Sequence, residues 1–265
     1  RDYYQERRDC QSKVINPHIH VPYNLLEDYF PFIKKEKLNL EIYFGSKRFD
    51  DLKKKDIINL KKRLDYNPQL TIHAPFMDLS PGAVDSRVRE VTFQRFSEIL
   101  DFADILKPKV VVFHSGYDKW KYDSRVDIWL EESLKTWIPL NRKASALGVK
   151  IAIENIVEDE PANLKLLMER MDSKNFGICF DTGHFNLFSK LFLSDWLEML
   201  KLYIIELHLH DNAKDKDLHL AIGEGNFDFR TLFRELQGKN CVYTIEAHSI
   251  EDVKKSIERL KVYFK

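Results

Sequence analysis

The 265-residue chain has few cysteines and no excess of charge of either sign. Its three cysteines, Cys10, Cys179 and Cys241, are far apart and form no C-x-x-C pair, a pattern typical of reduced thiols in a cytoplasmic protein. Lysine plus arginine and aspartate plus glutamate each number 42, so no overall field attracts a polyanion. No apolar run approaches the roughly 18 residues that a membrane span needs. These absences argue against a disulfide framework and a membrane protein, and they predict a cytoplasmic location.

The composition that remains is that of an ordinary globular protein. Hydrophobic residues make up 44% of the chain and aromatic residues 12%, which is ample for a sizeable core. The first 13 residues contain few apolar side chains and several charges. We therefore predict an N-terminal tail over residues 1–13 and a single domain over residues 14–265.

Short apolar runs alternate with segments of helical periodicity, and the alternation repeats eight times. The first helix is predicted from Asn24 to Lys37 with Asn24 as its N-cap, Gly148 is predicted to end the fourth helix, and Ser249 to cap the last. The predicted strands are VINPHIHVPY, LNLEIYF, QLTIHA, KVVVFH, KIAIEN, FGICFD, IIELHLH and VYTIEA.

Strands that alternate with helices indicate a parallel sheet covered by helices. Eight such units in about 250 residues are the usual size of a closed (β/α)8 barrel, the TIM barrel. The alternative is an open doubly wound sheet. Two features argue against the open sheet. The chain has no glycine-rich turn after its first strand, and polar residues lie at the ends of most strands instead of being concentrated at one switch point in the strand order. The α/β class with a single-domain (β/α)8 barrel is therefore the predicted fold.

Ionisable residues stand at the carboxyl ends of most predicted strands, which meet on one rim of a barrel, where active sites are built. A lone histidine or carboxylate in such a place is unremarkable, but unpaired charges are costly to bury, so a ring of them needs cations. Histidines mixed with carboxylates suit Zn, Mn, Co or Fe(II), and Mg is a poorer match. The nine candidate metal ligands are His73, His114, Glu154, Asp181, His184, His208, Asp217, His219 and Glu246.

Eight short motifs, taken in order, resemble the xylose-isomerase-like TIM barrels. That family contains sugar and sugar-phosphate isomerases and epimerases, and also AP endonucleases of the endonuclease IV type. The resemblance covers nearly everything from residue 14 onward, and each motif alone is weak. The motifs are His73-Ala74-Pro75, Val112-Phe113-His114-Ser115-Gly116, Ile153-Glu154-Asn155, Asp181-Thr182-Gly183-His184, His208-Leu209-His210-Asp211-Asn212, Asp217-Leu218-His219, Gly223-Glu224-Gly225 and Ile245-Glu246.

In the epimerase branch, the resemblance implies one divalent ion held by Glu154, Asp181, His208 and Glu246. Both glutamates would also act as acid and base, passing a proton through a metal-stabilised enediolate of a small sugar, sugar phosphate or related hydroxy-carbonyl compound. His184 would then contact a substrate oxygen. The substrate in this reading is a small carbohydrate.

In the endonuclease branch, the resemblance implies that all nine positions bind a multinuclear zinc site that cleaves a phosphodiester. The chain fills every position, so the number of bound metal ions is left open at one to three per chain. Nucleic acid is a partner only under this alternative. Against it, the loops that follow the strands carry no basic insertion interleaved with aromatic residues. Lys119 and Lys121 flank Trp120 in the loop GYDKWKYDSR and could hold a phosphate, but Asp118 and Asp123 offset their charge. A third interpretation is a metal-stabilised barrel without activity.

Four further residues are candidates for the substrate pocket or its surroundings. His20 and His248 are predicted to line the pocket, or else to be structural, and His18 is predicted to be structural. The epimerase branch carries an arginine soon after the histidine of the seventh strand, whereas here the nearby cations are Lys214 and Lys216. Lys214 is therefore the predicted substrate contact there. The oligomeric state is left open, a homo-oligomer included.

Overall fold

The computed structural model describes residues 16–264, except for the side chains of residues 46–48. The predicted tail over residues 1–13 lies outside the described residues. No described helix is both long enough and apolar enough to cross a membrane.

Eight parallel strands pair in chain order and close into a barrel. Closure is made where β1 pairs with β8, with His18 beside Thr244 and Ile19 beside Ile245. The predicted (β/α)8 barrel is confirmed, and the open doubly wound sheet is excluded. The strands are β1 His18–Pro22, β2 Asn39–Tyr43, β3 Leu70–His73, β4 Val110–His114, β5 Lys150–Glu154, β6 Phe176–Asp181, β7 Ile204–Leu209 and β8 Val242–Ile245.

Helices follow the strands and cover the outside of the barrel. The described helices are α1 Leu26–Glu36, α2 Lys54–Arg63, α3 Ser86–Leu106, α4 Val126–Leu147, α5 Ala162–Met171, α6 Thr182–Phe188, α7 Leu193–Leu200, α8 Phe229–Glu235 and α9 Ile250–Tyr263, with 3₁₀ turns at Tyr23–Leu25 and Ser46–Asp51. Helix α6 was not expected from the sequence. It starts directly after β6, where the Asp181 side chain accepts a hydrogen bond from the backbone N–H of His184.

The predicted helix ends are confirmed at two of three positions. Gly148 ends α4 with a φ of +72°, a conformation that glycine adopts without strain. The Ser249 side chain accepts from the backbone N–H of Asp252 at the start of α9. The predicted cap at Asn24 is wrong. Pro22 ends β1 and the chain enters a 3₁₀ turn at once, so Asn24 lies inside that turn and α1 begins two residues later.

The hydrophobic core fills the layer between the strands and the helices. Trp129, Trp137 and Trp196 are fully buried there, and Trp137 stacks on Phe96 with ring centroids 5.5 Å apart. Burying one large apolar side chain stabilises the fold by roughly 1.5–3 kcal/mol. This layer holds the barrel rigid enough to carry charged groups inside it.

The lumen of the barrel is divided into an apolar and a polar part. Small apolar side chains from β4, β5 and β6 pack together on one side, namely Val110, Val112, Ala152 and Cys179. Strands β2, β3, β7 and β8 instead contribute the buried polar residues Glu41, Thr71, Glu206 and Thr244. The polar side leads upward to the histidines and carboxylates at the carboxyl rim.

Candidate functional site

A cavity of about 530 Å³ opens at the carboxyl ends of the strands. Ligand pockets in this fold lie on that face, because the loops that follow all eight strands meet there. The cavity is lined by His20, Pro22, Leu25, Tyr29, Tyr43, His73, Phe76, His114, Glu154, Ile156, His184, Asp217, His219, Glu246, Ala247 and His248.

Glu154, at the end of β5, is the carboxylate that most imidazoles contact. Its Oε2 lies 3.1 Å from Nε2 of His73 and 3.4 Å from Nε2 of His114. Its Oε1 lies 3.2 Å from Nδ1 of His184 and 3.5 Å from Nδ1 of His208. The side chain is buried, so these four rings surround both of its oxygens.

Asp181, at the end of β6, joins this cluster from the other side. Its Oδ1 lies 3.3 Å from Nδ1 of His184, and its Oδ2 lies 3.8 Å from Nδ1 of His208. Both of its oxygens are 3.0 Å from Nε2 of His210. His210 therefore lies inside the site, although it is not one of the nine ligands predicted from the sequence.

Glu246 follows β8 and faces the same ring nitrogen as Glu154. Its Oε2 lies 3.3 Å from Nδ1 of His208. Its Oε1 lies 3.8 Å from Nε2 of His20 and 3.9 Å from Nδ1 of His219. Nδ1 of His208 is thus flanked by carboxylates from β5 and from the end of β8.

Asp217 and His219, from the loop after β7, form a second group at the rim. Asp217 Oδ2 lies 3.2 Å from Nε2 of His219 and 3.4 Å from Nε2 of His184. The His219 ring lies between the rings of His210 and His248, with centroids 4.0 and 4.5 Å away. The loop therefore returns over the strand ends and joins the cluster through His184 and His210.

Charges in the site stabilise one another. Burial opposes the charge of Glu154, but His208 and then His114 hold the pKa of its carboxyl well below the usual range. Burial also opposes the charge of His219, but the hydrogen bond to Asp217 and the negative charges of Glu246, Asp217 and Asp181 together outweigh it and raise the pKa of the imidazole to about 9. Removing one partner would leave the other charge buried and uncompensated, which is strongly destabilising.

The donor atoms fit a divalent cation. Glu154, Asp181 and His184 offer ligand atoms within 4.8 Å of one another, and so do His210, Asp217 and His219. Several buried donor atoms converge without making a hydrogen bond, namely His208 Nδ1, His210 Nδ1, His219 Nδ1 and Glu246 Oε2. Buried polar atoms are normally hydrogen-bonded, so ring nitrogens and a carboxylate oxygen that lie close together without a hydrogen bond are suited to share a metal ion.

One wall of the cavity is aromatic. Phe76 stacks on the His114 ring with centroids 4.1 Å apart, and on Tyr43 at 5.6 Å. Tyr43 also stacks on His20 at 5.7 Å. This wall adds aromatic surface to a cavity that is also lined by Glu154 and Glu246.

The structure brings all nine predicted ligand positions into one connected cluster, because each lies at or just after the carboxyl end of a strand. His20 and His248 line the cavity. Lys214 does not line the described cavity; its side chain is exposed, and its backbone N–H donates to Asn212. His18 is buried in the lower part of the barrel, and burial lowers the pKa of its imidazole to about 4.

Sequence reasoning missed Glu41 and the aromatic residues Tyr43 and Phe76. Glu41 is in the middle of the strand LNLEIYF, which reads as a run of buried apolar residues, and it is fully buried. The signal that could have found it is the charge itself, since an unpaired glutamate is almost never buried inside a strand. Phe76 comes three residues after His73, beyond the strand end, where no pattern marks it.

Comparison with known proteins places the chain in a family. A family-wide sequence profile described as "Xylose isomerase-like TIM barrel" matches residues 39–263. The uncharacterized protein MJ1311 of Methanocaldococcus jannaschii is 34% identical over 220 residues, which cover 79% of this chain and 74% of that protein.

Two solved structures are similar in both fold and sequence. A D-tagatose 3-epimerase-like protein superposes with a TM-score of 0.80 and 31% identity, covering 93% of this chain and 96% of that one. The protein TTHB071 from Thermus thermophilus, soaked with ZnCl2, superposes with a TM-score of 0.80 and 25% identity, covering 94% and 98%. From the profile match over most of its length, the chain belongs to the xylose isomerase-like TIM barrel family.

Proposed function

We propose that this protein is a divalent-metal-dependent isomerase or epimerase of a small, uncharged hydroxy-carbonyl sugar. The observation that carries the proposal is the pair of carboxylates on either side of one ring nitrogen. Glu154 Oε1 and Glu246 Oε2 lie 3.5 and 3.3 Å from Nδ1 of His208, on the floor of an aromatic-walled cavity. Epimerisation needs one group that removes a proton from a carbon and another that returns a proton to it, and two neighbouring carboxylates can fill these two roles.

The residues that would hold the cation are Glu154, Asp181, His208 and Glu246. A divalent ion of the Zn, Mn, Co or Fe(II) type, when bound, supplies Lewis acidity that polarises the carbonyl and the neighbouring hydroxyl of an open-chain sugar. The buried histidines and carboxylates that surround this group keep its donor atoms aligned before substrate arrives.

The proton transfer itself is assigned to the two glutamates. One carboxylate takes the proton from the carbon beside the carbonyl, leaving an enediolate, and the other carboxyl, in its acid form, returns a proton to that carbon or its neighbour. His20 and His219 lie within 4 Å of Glu246 Oε1 and can exchange its proton with the cavity. His184 and His248, at the cavity wall, are assigned to substrate hydroxyls.

The cavity wall favours a neutral substrate over a sugar phosphate. Among the side chains that the structure describes, no lysine or arginine lines the cavity. Phosphate monoesters are usually held by such cations, whereas the stacked rings of Phe76 and Tyr43 suit the apolar face of a sugar. The 31% identity to a D-tagatose 3-epimerase-like protein supports a free keto-sugar as the first substrate class to test.

The test is a panel of neutral aldoses and ketoses, each paired with its phosphate ester, incubated with metal-loaded protein in D₂O and followed by NMR. We expect conversion of at least one neutral sugar and slower conversion of its ester. Absence of both conversion and deuterium exchange across the panel would contradict the proposal.

A second candidate function is a multinuclear phosphodiesterase. The observation that favours it is the second ligand group, His210, Asp217 and His219, which a site for a single ion does not need. It predicts two or three ions per chain and cleavage of an oligonucleotide containing an abasic site. Metal analysis that finds one ion, together with an uncut oligonucleotide, would exclude it.

A further inference from the structure

Glu41 lies beneath the metal-ligand cluster, in the lumen of the barrel, and contacts two of its histidines. Its Oε1 is 2.9 Å from Nδ1 of His20 and 3.1 Å from Nε2 of His208. Its Oε2 is 3.2 Å from the same nitrogen of His208 and 3.5 Å from the hydroxyl of Thr71. The residue is fully buried, so bulk solvent does not reach these contacts.

The chemistry of a carboxylate fixes which ring nitrogens carry protons. An ionised carboxylate only accepts hydrogen bonds, so Nε2 of His208 and Nδ1 of His20 must each donate a proton to Glu41. The opposite nitrogens are then the ones that turn towards the cavity. Nδ1 of His208, which makes no hydrogen bond, faces Glu154 and Glu246.

We propose that Glu41 is a positioning residue that holds His208 with its proton on Nε2, and so keeps the Nδ1 lone pair available to a metal ion. The inference rests on the proposed function for the identity of the group that His208 binds. Glu41 also contacts Nδ1 of His20 and so fixes the proton on that nitrogen. The other nitrogen of His20, Nε2, is the one that approaches Glu246. Partners of this kind orient metal-binding histidines and raise their basicity.

A neighbouring glutamate provides a matched control. Glu206 is also fully buried in the lumen, and its Oε1 accepts from the hydroxyl of Thr244 at 2.7 Å. No hydrogen bond joins Glu206 to a histidine among the described residues. Glu206→Gln therefore makes the same side-chain substitution in the same part of the lumen, close to Glu41 and His208, but it removes no hydrogen bond to an imidazole among the described residues.

The first experiment measures zinc affinity by competition with a chelating dye, using the full chain stripped of metal. We expect Glu41→Gln to weaken zinc binding tenfold to a hundredfold, which is the usual effect of removing such a partner. Glu206→Gln should stay within about twofold of the wild type, and Glu41→Asp, which keeps a carboxylate, should lie between the two. Equal affinities of Glu41→Gln and Glu206→Gln would overturn the inference.

The second experiment reads the proton directly and needs no variant that might fail to fold. Two-bond ¹⁵N–¹H spectra of the wild type distinguish the two nitrogens of each imidazole. We expect His208 to carry a proton on Nε2 both before and after zinc is added. A proton on Nδ1 with a bare Nε2 would refute the role of Glu41. Since neither measurement uses substrate, a failed sugar panel would leave this result standing, and it would reject only the proposed reaction.

Discussion

The imidazole rings of His210 and His219 stack with centroids 4.0 Å apart and an angle of 4° between their planes. This contact joins the end of β7 to the loop that returns over it. Because His210 also contacts Asp181, the loop is connected to the centre of the site through one ring. The role of this stacked pair therefore distinguishes the two candidate functions. If the site holds one ion, His219 faces the substrate; if it holds several, His219 is a metal ligand.

Asp217→Asn tests that choice. Under the sugar isomerase proposal, Asp217 contacts His184 and His219 at the rim and does not hold the catalytic ion. We expect the variant to keep one tightly bound ion per chain, measured by elemental analysis, while KM rises roughly tenfold because ground-state contacts are lost. Asp215→Asn, in the same loop, is the control. Loss of one ion from a wild type that binds two or more would favour phosphodiester chemistry.

Gly183→Ala tests the position of His210. A Cβ atom at residue 183 would lie 2.0 Å from Cε1 of His210, so the ring must shift and its contact with Asp181 is disturbed. We expect zinc affinity to fall roughly tenfold or more. In the His210→Ala background the methyl group has room, so the same substitution should cost little. Additive effects in this double-mutant cycle would show that the two residues do not interact.

Asp211→Asn tests how the loop after β7 is held. The buried Asp211 carboxylate accepts hydrogen bonds from the backbone N–H groups of Gly223, Gly225 and Phe227, at 3.0, 2.9 and 3.1 Å. An amide in its place would turn a donor towards other donors. We expect the free energy of unfolding, measured in urea, to fall by roughly 2–3 kcal/mol. A loss no greater than that of Asp215→Asn would contradict this role.

Glu158→Gln tests the pH dependence of stability. Burial raises the pKa of the Glu158 carboxyl, which accepts from Ser115 and from the backbone of Ile156, both at 2.6 Å. The pKa of Glu158 is therefore higher in the folded than in the unfolded protein. Its contribution to the stability of the fold is complete at pH values below the unfolded pKa, and it is lost as pH rises through the folded pKa.

We therefore expect the stability of the wild type, relative to Glu158→Gln, to decline as pH rises from about 4.5, the ordinary glutamate range. Thermal melts of the two proteins across that interval measure the difference. The exposed neighbour Glu160→Gln should show no such trend. A wild-type advantage that is constant with pH would contradict the assigned role of burial.

The sequence predicted the barrel and the rim of the site because both follow from one periodic pattern. Residues such as His73, His114 and Glu154 end apolar strands, and parallel strands of a barrel bring their carboxyl ends together. Their convergence therefore needs no knowledge of side-chain packing. The predicted strand-end carboxylate Asp181 also lies where expected, although the short helix Thr182–Phe188 that follows it is not evident from the sequence pattern.

The residues inside the lumen could not be predicted in the same way. Glu41 is surrounded by apolar neighbours in the chain. The register of β1 against β2 places His20 beside it, and His208 of β7 reaches it only because the barrel closes. Lys214 illustrates the same limit for a loop, since its position in the sequence does not determine where its side chain points, and that side chain lies outside the described cavity. The local sequence pattern predicts which residues lie at strand ends, whereas contacts between side chains across the lumen depend on the closed fold.

The measurement that tests the central claim most directly is the fate of the substrate hydrogen in D₂O with metal-saturated protein. We predict that the product of wild-type turnover carries one deuterium at the carbon beside the carbonyl. Glu154→Gln and Glu246→Gln, at saturating metal, should each reduce the rate by about 10²–10⁴, the usual contribution of a general acid or base. Turnover without deuterium, or turnover unaffected in both variants, would contradict proton transfer by these two glutamates.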